Sequence, residues 1–305
     1  MPATVAIELE ANYTTGAPAE RTTWYVVENW TLARHHAART KPPKDRNFPC
    51  PNCGAPWQGA DSGSTQRCQY CGEVVDNGRF DWQLVGVWVK HERAQPPTLT
   101  NEVPERGNDL ATYLAPNLDA MWMGLLRDDP QLSDASLIAR LHHIYRLLND
   151  SWTAGDLLPA RGVLSDGLYD YLTYWMVAYK QQGLRNVLEG MELTHQQPAK
   201  VVRDRWYDAI TVRIWGTGLD YVMRVPGGEH VRGSRSRPRP YSEYWTLIRS
   251  AARRGPTHND PRCGNCGAPL IVTHAGGCAS CGAHVTAGEF DWVLSKIEQD
   301  DTYRG

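Results

Sequence analysis

Two periodicities divide this chain. The opening segment TVAIELEANYTT (residues 4–15) alternates apolar and polar residues, as a half-buried strand does. From residue 184 the same period of two returns. LRNVLEGMELTHQQ, RWYDAITVRIWGT, LDYVMRVPGG and YSEYWTLIRS read as four antiparallel strands, with VPGGEHVRG as a loop before the last. Between these ends the period is helical. Ser133 stands where an N-cap belongs, ahead of Leu137, Leu141, Ile144, Leu147 and Leu148 on one stripe. Ser165 caps a second helix that stops at Gly183. Residues 94–131, rich in Pro and Gly, predict a linker with one short helix near 117–127. Helices followed by a bent meander predict an α+β domain, a cone enclosing a pocket between helix and sheet. Tyr174, Trp175, Trp206, Trp215, Tyr221 and Trp245 are the aromatics that line such a pocket or pack it shut.

Cysteine spacing adds two further domains. Cys50, Cys53, Cys68 and Cys71 form C-x2-C, 14 residues, C-x2-C, and Cys263, Cys266, Cys278 and Cys281 repeat this with 11 residues between the pairs. All 8 cysteines are used. Each pair can form a tight knuckle, with Gly54, Gly72, Gly267 and Gly282 supplying the left-handed residue after it. Facing knuckles give a tetrahedral S4 site suited to a structural Zn2+, two per chain, with rubredoxin-type iron or disulfides as competing readings. A site closed by four thiolates has no position for a substrate water. His274 and His284 flank the second site, but four cysteines already fill it, and they read as surface histidines.

The ribbons belong to a repeated unit. Glu28, Trp30, Thr31, Leu32 and Arg34 precede the first as Glu243, Trp245, Thr246, Leu247 and Arg249 precede the second. GRFDWQLVGVWV and GEFDWVLSKIEQ follow them, with Asp81 and Asp291 each ten positions past the last cysteine. Each Asp accepts a bond from a neighbouring backbone or Arg, or caps a turn. The predicted organisation is N-terminal β-strands (1–48), ribbon 1 with its FDW strand (49–93), the linker (94–131), the α+β domain (132–255) and ribbon 2 with its FDW strand (256–305). Only the second copy has helices ahead of it. The first is therefore expected to be completed by lost sequence or by another sheet.

Composition narrows the function. Net charge is −2, so no global field steers the chain to nucleic acid. No stretch of 18 apolar residues and no signal peptide is evident, which fits a reducing, cytoplasmic setting. With 12 Trp and 14 Tyr against 3 Phe, the aromatics suit half-buried sheet faces, pocket walls and partner interfaces. Seven arginines run from Arg232 to Arg254 against one acid, Glu243; Arg232, Arg235, Arg237 and Arg239 are the candidate anion or partner contacts, or else a solvated hairpin. For catalysis the best pair is His142 or His143 with Asp170, and no phosphate loop, nucleophile elbow or open metal site accompanies it.

The segments LSDGLYDYLTYW, GLRNVLEGMEL, WYDAITVRIWGTGLDY and GSRSRPRPYSEYWTLIRS, within Leu137–Arg254, resemble the Tim44-like domain family, including bacterial members in which that domain precedes a zinc ribbon ending in an FDW strand. The resemblance implies a cystatin-like, or nuclear-transport-factor-two-like, fold. It also implies scaffolding and docking at a membrane rather than chemistry. This chain lacks the long basic amphipathic N-terminal helix that recruits some relatives to membranes. The expectation is a non-enzymatic zinc-binding adaptor that docks a protein complex, at the cytoplasmic membrane face. The alternatives are a carrier of a lipid or quinone, or a cone-type isomerase or dehydratase.

Overall fold

Alternation of Val5, Ile7 and Leu9 with Glu8 and Glu10 makes β1 (Ala3–Thr15) a strand with one apolar and one charged side. It pairs antiparallel with β2 (Thr22–Arg34). The computed structural model describes residues 2–16, 22–38, 50–55, 59–62, 65–75, 79–94, 99, 105–257 and 259–305. These fall into two units, 1–98 and 99–305. In the first unit the ribbon hairpin β3 (Gly59–Ser62) and β4 (Thr65–Cys68) comes between β2 and β5 (Gln83–Ala94) along the chain and forms its own two-stranded sheet, while the main sheet has the order β1-β2-β5. Parts of the predicted linker, residues 95–98 and 100–104, lie outside the described residues.

The second unit mixes helices with an antiparallel sheet. Helix α1 (Leu118–Asp128) stands where the short helix is predicted. Helix α2 (Asp134–Ala154) begins at a capping box in which Ser133 and Ser136 exchange side-chain bonds at 3.2 Å. Gly155, at φ 73°, ends it. Helix α3 (Asp166–Gln181) starts at Ser165, whose hydroxyl accepts from the Leu168 N–H at 3.3 Å. The strands are β6 (Leu184–Arg203), β7 (Tyr207–Arg224), β8 (His230–Gly233), β9 (Arg239–Ser250) and β10 (Val293–Gln299), in the order β10-β9-β7-β6 with β8 beside β7. No helix among the described residues is long and apolar enough to cross a membrane.

Two expectations from the pattern are corrected. Residues 230–233, read as the end of the loop VPGGEHVRG, form β8 paired with β7. The segments 205–217 and 219–228, read as two strands, are the single strand β7. The Gly216-Thr217-Gly218 sequence that suggests a turn serves close packing instead. A Cβ on Gly216 would sit 2.7 Å from the Tyr241 ring, and one on Gly218 would collide with Met191 Sδ.

The core gathers the α2 stripe Leu137, Leu141, Ile144 and Leu148 with Ile210, Val212, Ile214, Trp245, Leu247, Trp292 and Leu294 of the sheet side. Beneath the opposite face, residues 105–117 are held by fully buried Arg213. Its guanidinium donates to the carbonyls of Leu110 (2.6 Å) and Gly107 (3.0 Å) and pairs with Asp300 at 2.9 Å.

Candidate metal centres and the strands they anchor

Four knuckles with one backbone pattern build two sites. In each, the first cysteine's N–H donates to the carbonyl five residues on: Cys50 to Ala55, Cys68 to Glu73, Cys263 to Ala268 and Cys278 to Ala283, all at 2.8–3.0 Å. The glycine four residues on donates back to that cysteine's carbonyl. This second bond requires a left-handed residue, and Gly54, Gly72, Gly267 and Gly282 have φ of 75°, 70°, 72° and 73°.

The knuckles bring each set of four sulfurs within 4.8 Å of one another. Cys50–Cys71, Cys53–Cys68 and Cys263–Cys281 are each 3.8 Å apart. A disulfide would need about 2.05 Å. A tetrahedral ion with metal–sulfur bonds of about 2.3 Å has sulfur–sulfur edges of about 3.8 Å. The residues therefore fit a metal ion in each site. Two cysteines of each set are buried and two exposed.

Sequence reasoning missed the asparagine inside one knuckle of each site. Asn52 Nδ2 donates to Cys71 Sγ at 3.6 Å and Asn265 Nδ2 to Cys281 Sγ at 3.5 Å. These bonds, with backbone N–H groups at Glu73 and Ala283, lower both thiols to about 6, the charge state a metal needs. The available signal was the shared C-x-N-C spelling of the two first knuckles.

The repeat extends to atomic detail in the strands. Trp30, Leu32 and Glu28 face Val87, Leu84 and Val89, while Trp245, Leu247 and Glu243 face Ile297, Leu294 and Gln299. A one-residue bulge falls at Val85 in one ladder and at Ser295 in the other. Trp30 Nε1 donates to Glu28 at 2.7 Å, and Trp245 Nε1 to Glu243 at 2.9 Å. Arg34 lies over Trp82 and Arg249 over Trp292, both at 4.6 Å. Asp81 and Asp291 each accept from the next residue's N–H at 2.7 Å. Asp291 also faces Arg140 of α2 at 3.9 Å.

Ribbon 2 is braced inside its own unit. Buried Arg161 donates to the His274 carbonyl at 3.2 Å and pairs with Asp166, which also accepts from Thr286 at 2.8 Å. His284 lies 3.4 Å from Asp166, and His274 Nδ1 meets the Tyr169 hydroxyl at 3.1 Å. Both histidines thus have structural partners.

The other predicted site residues are dispersed. Arg232 is tied to the Leu99 carbonyl and the Tyr179 hydroxyl, Arg235 to the Gly228 carbonyl, and Arg239 to Glu105 at 2.8 Å. Arg235 and Arg237 are the exposed pair among the four. Of the six aromatics, Trp245 lines a cleft of about 320 Å³ between α2, α3 and the sheet, together with Trp152, Tyr171, Tyr241, Glu243 and Glu105. Trp206 lies under Arg205, Trp215 under Arg213, and Tyr221 under Arg235, while Tyr174 and Trp175 meet edge to face. In the cleft, burial raises the Glu105 carboxyl and that of Glu243 above their usual range. Asp170 is exposed, and no hydrogen bond or ion pair joins it to His142 or His143 among the described residues. His143 is held low by burial, and next by Arg140 and Arg146.

An antiparallel sheet with a helical layer, followed by a four-cysteine site, is the arrangement expected of a Tim44-like domain bearing a ribbon. Residues 120–261, from within α1 to the residue two before Cys263, match the family model of the Tim44-like domain. No curated protein matches the chain.

Proposed function

We propose that this protein is a non-enzymatic scaffold in which two structural Zn2+ ions stiffen a duplicated strand–ribbon unit, and a Tim44-like domain with a cystatin-like cone docks a partner protein complex at the cytoplasmic face of a membrane. The closure of both metal sites carries the reading. Four mutually adjacent sulfurs leave an ion no open coordination position, and all-sulfur tetrahedral ligation favours zinc. The Tim44-like domain supports a binding role. Metal analysis of the purified chain, combined with identification of a stoichiometric co-purifying complex, tests it. About two zinc per chain and a defined complex are expected. Small-molecule turnover lost on substituting His142 or Asp170 would overturn it.

The cleft around Trp245 favours a second reading, a carrier of a small apolar ligand such as a lipid or quinone. Aromatic and aliphatic side chains form part of its wall beside polar groups such as Glu105, Glu243 and Arg239, and about 320 Å³ is of ligand size. Native mass spectrometry of the protein as purified distinguishes the two, since a carrier would retain a ligand mass.

A further inference from the structure

One face of the first sheet copies a buried face of the second. Val5, Ile7 and Leu9 of β1 are 42%, 40% and 37% exposed. By register against the WTL strands they correspond to Ile210, Val212 and Ile214 of β7, which are 0%, 4% and 0% exposed. On β5, Leu84 and Val87 are exposed, whereas their counterparts Leu294 and Ile297 belong to the second core or pack on it. The other face of the first sheet carries its charged pairs, together with exposed Trp88. There Glu8 pairs with Lys90 at 2.8 Å and Tyr25 donates to Glu10 at 2.9 Å. The first sheet is thus amphipathic, with its apolar side exposed to solvent.

The second unit shows what such a face takes. Helix α2 lays Leu141, Ile144 and Leu148 into the same core as Ile210, Val212 and Ile214, and its Tyr145 ring lies 5.7 Å from Trp245. At the FDW corner, Arg140 of α2 donates from Nε and Nη2 to the Trp292 carbonyl at 3.0 and 2.8 Å, beside the Asp291 carboxylate. The first unit repeats that corner, and its Asp81 is exposed. A cation arriving there would meet a carbonyl and a carboxylate.

We propose that the apolar face of β1-β2-β5 binds an amphipathic helix of a partner protein built like α2, with aliphatic residues at three- and four-residue spacing and an arginine that meets Asp81. The inference rests on the scaffold reading and deepens it by naming a surface and a partner chemistry. Charge complementarity and the occupant of the duplicate face both select a helix over a strand or an acidic segment.

The probe is a fluorescent peptide of this chain's own α2, residues 134–154, added to the zinc-loaded full chain and followed by anisotropy. Saturable binding is expected. Val87→Lys should weaken it about tenfold or more, because a charge is then buried against the helix. Trp88→Lys, on the opposite face, should leave it unchanged. An Arg140→Ala peptide should bind the wild-type chain more weakly but lose nothing further on an Asp81→Ala chain, the signature of a direct pair. This cycle does not depend on Val87→Lys folding. Absence of saturable binding, additivity of the two alanine changes, or a self-associated chain that Val87→Lys renders monomeric would each overturn the proposal. If the peptide fails while a stoichiometric complex still co-purifies, the surface assignment falls and the scaffold reading stands.

Discussion

The guanidinium of Arg249 sits 4.6 Å above the indole of Trp292 while pairing with buried Asp129 at 2.9 Å. Asp129 in turn accepts from the Gly255 N–H at 2.9 Å. The arginine therefore joins the end of α1, the WTL strand and the FDW strand in one buried cluster. Arg249→Met would leave the Asp129 carboxylate buried without its cation, at roughly 3–5 kcal/mol. Denaturant midpoints of wild type and Arg249→Met check this, and a loss of less than about 1 kcal/mol would contradict it.

The metal sites act independently, since each is closed within its own unit. Cys278→Ser should lower the metal content from two ions to one, and Cys68→Ser should do the same from the other site. Asn52→Ala and Asn265→Ala should each keep the stoichiometry while weakening one site about 10–100-fold in a chelator competition. Unchanged competition curves would show that the bonds to Cys71 and Cys281 do not tune the thiolates.

Asp166 gives ribbon 2 a defined acid response. Desolvation pushes its carboxyl up, but bonds from Arg161 and Thr286 outweigh this and hold it below the usual range. A group depressed in the folded state stabilises above its unfolded value, about 3.9, and that contribution is lost as pH falls through the folded value. Metal loss at low pH affects wild type and variant alike, so the informative quantity is their difference. The stability gap between wild type and Asp166→Asn should be full near neutrality and shrink below about pH 4. A gap constant from neutrality into that range would refute the assignment.

Gly216→Ala tests the continuity of β7. The added methyl would meet the Tyr241 ring at 2.7 Å, and Tyr241 is held by Tyr145 at 2.7 Å, so the ring has little room to yield. A loss of about 1–3 kcal/mol is expected in thermal unfolding. A loss no larger than at an exposed strand position would show that the ring moves aside.

What was legible in the sequence was local. The knuckle glycines, the Ser133 and Ser165 caps and the FDW repeat each rest on residues a few positions apart. The hidden features join distant segments. Nothing near Asp129 announces Arg249, and nothing near Leu110 announces Arg213. Strand parity explains the dispersed aromatics: Ile214 is in the core, so the adjacent Trp215 faces the other side and meets His195, with ring centres 5.0 Å apart. The unity of β7 escaped because two glycines near a strand centre spell a turn and a close approach alike.

The shared bulge has a consequence for how the chain reaches this structure. Because residues 84–89 of β5 and 294–299 of β10 carry the same ladder with the same one-residue irregularity, backbone pairing over this stretch cannot tell the proper edge from its twin, on this chain or on a neighbouring one. Tether length discriminates weakly, at about 0.6 kcal/mol per doubling of the intervening loop. If both ribbons hold a metal as proposed, each closed ribbon would tie its FDW strand beside its own WTL strand ahead of the rival edge. The ions would then act as proofreaders of assembly, and apo chains should yield strand-exchanged products, the failure typical of duplicated units.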